Sequence, residues 1–259
     1  MTELTYHQQV SRHFSRAAAQ YLQHHEIQQF FGEQLLKHKQ LGCKRLLDVG
    51  CGPAAMYPVL AQQCTDYIGL DLSPAMLQQA ARIAPHGKWL QGAAENLPLA
   101  PQSIDFYFAN LSLQWSESLQ LSLQEMQRVL SDDGEAAFNL PIAGSFHELQ
   151  ESFRQLDEQP HTQSFFSVQQ LNSLIEASGL RSYQYHIKEH QQWFPDLKSL
   201  LGSIKGVGAN YVKRKEGGGL LSPRRFNQVI DAYECYRTEK GLPLTWRVAS
   251  FHFLKQVNL

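Results

Sequence analysis

No stretch of this 259-residue sequence comes near the roughly 18 consecutive apolar residues needed to cross a bilayer. Its opening, MTELTYHQQVSRHF, carries no apolar core of the kind a secretion signal has. The four cysteines, at 43, 51, 64 and 235, form no C-x-x-C pair, which argues against a zinc ribbon or a disulfide framework. Charge is sparse, at 18% of residues, and nearly balanced at a net −1, so there is no global pull toward nucleic acid. Two catalytic signatures are missing as well: there is no G-x-S-x-G elbow and no H-E-x-x-H, and the eleven histidines offer no compelling histidine–acid pair. Together these absences predict a reduced, cytoplasmic protein with no metal, no membrane and no nucleic acid among its partners.

Material for a core is ample, since 43% of residues are hydrophobic. The length suits one large α/β domain or one domain with an insertion. Residues 6 to about 40 repeat at helical period and end near Gly42. Short apolar runs follow at 45–49, 67–70, 88–91, 104–110 and 135–140, most of them separated by helix-length segments. Ser73 followed by Pro74 marks one helix start, with a serine cap and a proline in the first turn. The alternation predicts a parallel sheet with helices on both faces. Beyond Gly144 the pattern predicts helices at about 146–157 and 168–177 and a strand at 181–194. Further helices, broken by KEGGGLLSP, occupy 195–241, and the alternating PLTWRVASFHFLKQ makes a last strand. Two late strands around a helical stretch suggest an edge hairpin with a lid in its connection. The division that follows is an N-terminal helical segment (1–42), an α/β core (43–194), a helical lid (195–241) and a final strand (242–259).

The run LLDVGCGPAAM at 46–56 halts on an acid and breaks into glycines, the pattern of strand, turn and helix. Gly50, Gly52 and Ala55 satisfy G-x-G-x-x-G/A, and Asp71 follows about 20 residues on, where a dinucleotide site places the acid for its ribose hydroxyls. The alternative is a glycine turn that only lets a helix pack on a strand. Asp48 separates the possible ligands. A carboxylate just before the turn repels a pyrophosphate and attracts an ammonium or sulfonium; alternatively it is a buried acid capping nearby backbone N–H groups. S-adenosylmethionine satisfies every feature, with its ribose for Asp71 and its cationic end for Asp48.

At these residues the sequence resembles the class I methyltransferases. LLDVGCGPA is similar to their first motif, IGLDLSPAML to the second, and GAAENLPLAPQSIDFYFANLSLQW to the third and fourth, over about 45–140. The resemblance implies a Rossmann-like, mostly parallel seven-stranded sheet with helices on both faces, an N-terminal helix, a helical lid and S-adenosylmethionine as methyl donor. It implies cofactor contacts from Asp48, Gly50, Gly52, Asp71, Leu72, Ala94, Glu95 and Asn110, with Leu72 and Leu97 as apolar walls for the adenine. One position departs from the pattern: the acid usual before AENLP is Ala93 here, which moves adenine recognition toward the Ala94 backbone and the surroundings of Glu95.

Further segments, FSRAAAQYLQHHEIQ (14–28), DEQPHTQSFFS (157–167), SIKGVGANYV (203–212) and LPLTW (242–246), resemble the malonyl-[acyl-carrier protein] O-methyltransferase family of biotin synthesis. That resemblance implies methyl esterification of the free malonyl carboxylate. A carboxylate with a pKa of roughly 4 is already a nucleophile at neutral pH, so no general base is required. Catalysis then rests on alignment in a closed, drier pocket. Tyr21, Gln114 and Trp115 are the positioning candidates, and Arg16, Lys205 and Asn210 the candidates for holding the acceptor. Between 198 and 225 stand seven basic residues and one acid. Lys213, Arg214, Lys215, Arg224 and Arg225 from this stretch suit docking of an acidic acyl carrier protein carrying the malonyl group. Malonyl-coenzyme A as the acceptor, another small carboxylic acid, and a non-catalytic protein that holds cofactor or partner are the alternative readings.

Overall fold

The computed structural model describes residues 4–37, 39, 43–157, 161–180, 183–209 and 222–255. Two helices come first, α1 (Tyr6–Ala17) and α2 (Glu26–Leu36). β1 (Cys43–Val49) leads through the one-turn α3 (Tyr57–Leu60) to β2 (Cys64–Asp71), and α4 (Pro74–Ile83) leads on to β3 (Lys88–Gln91). After β4 (Ile104–Asn110), α5 (Leu119–Val129) runs into β5 (Leu130–Pro141). Next come α6 (His147–Arg154), α7 (Val168–Ala177) and β6 (Tyr183–Phe194). The last elements are α8 (Leu197–Gly206), α9 (Pro223–Tyr233) and β7 (Leu242–Leu254).

The strands form one seven-stranded sheet in the order β3-β2-β1-β4-β5-β7-β6. β1 to β5 pair in parallel, β7 runs antiparallel to β5, and β6 antiparallel to β7, so β7 is the reversed strand. α8 and α9 lie in the β6–β7 connection, as the late alternation predicts. Among the described residues no helix is long and apolar enough to cross a membrane.

Strand alternation divides the core. Leu47 and Val49 of β1 join Tyr107 and Ala109 of β4 on one face, against Leu123 and Met126 of α5 and Ile175 of α7. Their neighbours Leu46, Phe106 and Phe108 point to the other face, against Leu35 of α2 and Leu60 of α3. A third cluster ties Ile27 and Phe31 of α2 to Leu149, Leu200, Val229 and Trp246. Caps fix where the helices start. Ser73 accepts from the Met76 N–H, with Pro74 in the first turn, and Thr5 and Gln8 close a capping box on α1.

Two expectations need correction. The helical stretch from 6 to about 40 is broken by a 3₁₀ turn at Tyr21–Gln23. α1 buries Val10 and Ala17 whereas α2 buries Ile27, Phe31 and Leu35 against the sheet, so the two apolar faces serve different surfaces and the chain must turn between them. The β1–β2 crossover is also reduced, to the four residues of α3 and a following 3₁₀ turn.

Candidate functional site

In the order β2-β1-β4 the chain leaves β1 for one neighbour and later returns on its other side. Open α/β sheets bind their ligands at such a switch point, outside the carboxyl ends of the strands. Here the loops after β1 and β4 touch. Ser112 Oγ donates to the Val49 carbonyl at 2.7 Å, and a Cβ on Gly50 would stand 2.3 Å from the Ser112 Cβ. Only glycine allows that approach. The N–H groups of Gly50 and Cys51 donate to the Leu70 carbonyl at 2.7 and 3.1 Å, which ties the turn to β2. Gly50, Gly52 and Ala54 lie in the left-handed region, at φ 73°, 55° and 67°. The third left-handed residue is therefore Ala54, one residue before the Ala55 of the motif match.

A cleft opens over this turn. Its floor is Gly50 and Gly52, with Asp71 and Leu72 from the end of β2 on one side. Gly92, Ala93, Ala94 and Glu95 follow from the β3 link, and Asn110 through Leu113 with Trp115 and Ser116 from the loop after β4. His7, Val10 and Phe14 of α1, with Tyr21, form the roof. Periodicity identifies α1 as amphipathic but does not say what it covers, and this is why sequence reasoning missed His7, Val10 and Phe14; Ser112 reaches the cleft only through the contact of its loop with Gly50, which no local pattern signals.

The Asp71 carboxylate accepts from the Gly52 N–H at 2.9 Å and the Ser73 N–H at 2.8 Å. Burial raises its pKa to about 6 against the pull of those backbone donors. Glu95 lines the cleft, but its Oε1 accepts from the N–H groups of Glu117 and Ser118, at 2.5 and 3.4 Å, and lies 3.4 Å from His7 Nε2. Its carboxylate thus joins the roof helix to the start of α5. Asn110 is fixed at both ends, donating to the Gln28 carbonyl at 2.7 Å and accepting from Asn139 at 3.0 Å. Trp115 meets Phe14 edge-on, with centroids 5.3 Å apart. The Tyr21 ring lies beside Gly52, and burial, then Asp71 and Asp48, push its pKa up, so it stays a neutral phenol.

Other candidates stand elsewhere. Asp48 is buried and does not line the cleft; its partner is the Tyr67 hydroxyl, which donates at 2.7 Å, rather than a backbone N–H. Burial pushes its pKa up to about 7, with the Tyr67 hydrogen bond opposing. Leu97 belongs to the core, and its N–H donates to Glu125 at 2.7 Å. Gln114 turns away from the cleft, its Nε2 donating to the Leu111 carbonyl at 2.8 Å, because the 3₁₀ turn at Leu113–Trp115 presents Trp115 instead. Arg16 is exposed at the end of α1 and is not a lining residue, and Lys205 lines a separate cavity. Arg224 is exposed, whereas Arg225 pairs with Asp157. Asn210, Lys213, Arg214 and Lys215 lie outside the described residues.

The residues present fit S-adenosylmethionine. Asp71 at a strand end suits ribose hydroxyls, Leu72, Leu113 and Phe14 offer apolar walls, and the glycine turn admits close approach. Solved structures agree on the fold. The chain is similar to the YcgJ protein of Bacillus subtilis, at TM-score 0.62 and 18% identity over 87% of this chain and 97% of that one. It is similar also to an S-adenosylmethionine-dependent methyltransferase of Thermotoga maritima, described as a possible histamine N-methyltransferase, at TM-score 0.58 and 17% identity over 95% and 99%. A methyltransferase domain model matches residues 47–138. The molecule thus has the fold of a methyltransferase whose methyl donor is S-adenosylmethionine.

Relatives narrow this further. The malonyl-[acyl-carrier protein] O-methyltransferase of Enterobacter lignolyticus (strain SCF1) is 33% identical over 242 residues, 93% of this chain and 94% of that protein. The protein of the same name from Pectobacterium atrosepticum is 32% identical over 255 residues, 96% of each chain. The biotin biosynthesis bifunctional protein BioHC of Cellvibrio japonicus is 31% identical over 92% of this chain, which spans 48% of that longer protein. The chain belongs to the malonyl-[acyl-carrier protein] O-methyltransferase family.

Proposed function

We propose that this protein transfers the methyl group of S-adenosylmethionine to the free carboxylate of malonyl-acyl carrier protein, forming a methyl ester early in biotin biosynthesis. What supports the reading is that identity to relatives of that name runs through 96% of the chain, well beyond the methyltransferase domain at 47–138. The acyl carrier protein as partner and a cytoplasmic setting belong to the same proposal, as does docking on Lys213, Arg214, Lys215 and Arg224, whereas Arg225 is taken up by Asp157.

The bound cofactor supplies an electrophilic methyl group on a positively charged sulfur. An oxygen of the malonyl carboxylate forms the new bond to that carbon while the carbon–sulfur bond breaks, its electron pair going to sulfur. No proton moves, so no residue need act as a base. The chain's own contribution is placement and exclusion of water. Asp71 holds the ribose, and Phe14 and Trp115 close the cleft. Opposite charges cancel as the reaction proceeds, which a dry apolar enclosure favours over bulk water. Tyr21, kept as a phenol, can donate a hydrogen bond to the acceptor without placing a second negative charge beside it.

Mass spectrometry of malonyl-acyl carrier protein after incubation with enzyme and S-adenosylmethionine tests this. The expected result is a gain of one methylene unit on the malonyl group. Methylation of free malonate alone, with the carrier-borne group untouched, would transfer the activity to a free dicarboxylic acid.

A further inference from the structure

A second cavity lies beside the cofactor cleft, bounded by Phe146 and Leu149 at the start of α6, the irregular segment at 161–163, and Leu201, Ile204 and Lys205 of α8. Two contacts make its wall continuous with the cleft. Gln163 Nε2 donates at 2.8 Å to the carbonyl of Gln114, the residue before the cleft-lining Trp115. Leu111, another cleft residue, packs in the same apolar cluster as Phe146, Leu149 and Ile204. The end of α8 closes the other side. A Cβ on Gly206 would stand 2.1 Å from the His24 ring, and one on Gly208 would stand 2.9 Å from Phe14, a residue of the cleft roof. Glycine at both positions lets the helix end press directly on His24 and on the roof residue Phe14.

The lining has a definite chemistry. Hydrocarbon from Phe146, Leu149, Leu201 and Ile204 faces neutral hydrogen-bonding groups on Thr162 and Gln163, with Lys205 as the cation. A free dicarboxylic acid carries a charge at each end and would need a partner for both, since an unpaired buried charge is costly. A flexible chain of methylenes and amides matches this lining better. An outer cavity shares His161, Thr162 and Gln163 and adds the exposed Arg154, a cation suited to a phosphate. His161 is held rigidly between the two spaces. It stacks on Phe153 at 4.2 Å, and its Nε2 donates to Asp157 at 2.7 Å. The same Asp157 takes the Arg225 guanidinium.

We propose that the second cavity holds the pantetheine arm of the acceptor, with the thioester end directed at Leu111 and Trp115, the amides facing Thr162 and Gln163, and the phosphate leaving past Arg154. This rests on the malonyl-thioester reading and adds to it the route by which the acyl group enters.

The wild-type enzyme tests it directly. Phosphopantetheine without an acyl group should inhibit competitively against malonyl-acyl carrier protein and leave S-adenosylmethionine affinity by calorimetry unchanged. Leu201→Trp, which enlarges a partly exposed lining side chain into the cavity, should lose at least about tenfold more kcat/KM on the carrier substrate than on malonyl-N-acetylcysteamine, which keeps only the thioester end of the arm. Thr162→Val, which conserves volume, should show the same contrast at about fivefold even if the tryptophan variant does not fold. No inhibition by phosphopantetheine at millimolar concentration, or equal losses on both acceptors in a variant that binds S-adenosylmethionine normally, overturns the proposal. A wild-type enzyme that methylates no malonyl thioester at all would instead remove the functional reading beneath it.

Discussion

Ala54 sits at φ 67°, in the left-handed region that a residue with a Cβ enters at a cost of about 1–2 kcal/mol. Glycine would relieve that strain. It would also give up the burial of a methyl group, about 0.8 kcal/mol, and add unfolded-state entropy of roughly 0.5–1 kcal/mol. The terms nearly cancel, so Ala54→Gly should leave stability within about 0.5 kcal/mol of wild type. Ala54→Val, with a branched Cβ in the same region, should lose about 2–4 kcal/mol in urea unfolding. A valine variant as stable as wild type would mean the turn does not need this backbone. Asp48 is a different kind of strain. Burial raises its pKa in the fold to about 7, from an ordinary 3.8, so the folded chain binds more protons between those values than the unfolded one. Stability is therefore highest below the unfolded pKa and falls as pH rises through about 7; Asp71, raised to about 6, adds to the same trend. Asp48→Asn keeps an oxygen for the Tyr67 hydroxyl and removes the ionisation. In the cofactor-free protein its stabilising effect should be larger at pH 8 than at pH 5 by roughly 1–3 kcal/mol, as read by unfolding at both values. Equal effects at the two pH values would show that Asp48 titrates normally.

At the scale of elements, one glycine inside α8 and one just past its end make opposite predictions. At Gly202 a Cβ would meet nothing within 4 Å, so Gly202→Ala should stabilise by about 0.5–1 kcal/mol through helix propensity and chain entropy. Gly208, just past the helix, lies at φ 75°, and its Cβ would come 3.2 Å from the Phe14 backbone. Gly208→Ala should cost about 2 kcal/mol or more and weaken S-adenosylmethionine binding, since Phe14 roofs the cleft. Thermal melts and calorimetry on both variants check this, and matching behaviour of the two would remove α8 from the roof. The same elements show what the sequence could reveal. β1, β2 and β4 are legible because strands buried on both faces read as continuous apolar runs, and α4 is legible because Ser73 and Pro74 mark its start. Asp71 and the glycine turn are legible because their spacing is local. The break between α1 and α2 has no proline, and its cause is tertiary: Phe14 and Tyr21 turn to the cleft while Phe31 turns to the sheet. For Asp48, alternation gives the face it shares with Leu46, but that its carboxylate is taken by the Tyr67 hydroxyl depends on a neighbouring strand and is not legible locally.

At the scale of the whole molecule, charge distribution bears on how an acidic carrier protein approaches. The chain is nearly neutral at a net −1, yet residues 198–225 hold seven basic residues against one acid. Arg225 does not count toward an open basic surface, because it is paired with Asp157 and thereby supports His161. Reversing it would disturb the second cavity as well as the charge, so a clean test leaves it in place. The triple reversal Lys213→Glu, Arg214→Glu and Arg224→Glu replaces attraction with repulsion, with Arg224 exposed at the start of α9 and the other two outside the described residues. At physiological salt, fields are screened over about 8 Å, so S-adenosylmethionine affinity should be unchanged by this variant. Its KM for malonyl-acyl carrier protein should rise about tenfold or more, and the wild-type KM should rise with salt toward the variant's value. Malonyl-N-acetylcysteamine, which has no carrier protein, should show neither the salt dependence nor the penalty. If the carrier-protein KM is the same for variant and wild type across the salt series, docking does not use residues 213–224, and the basic stretch is only a solvated surface.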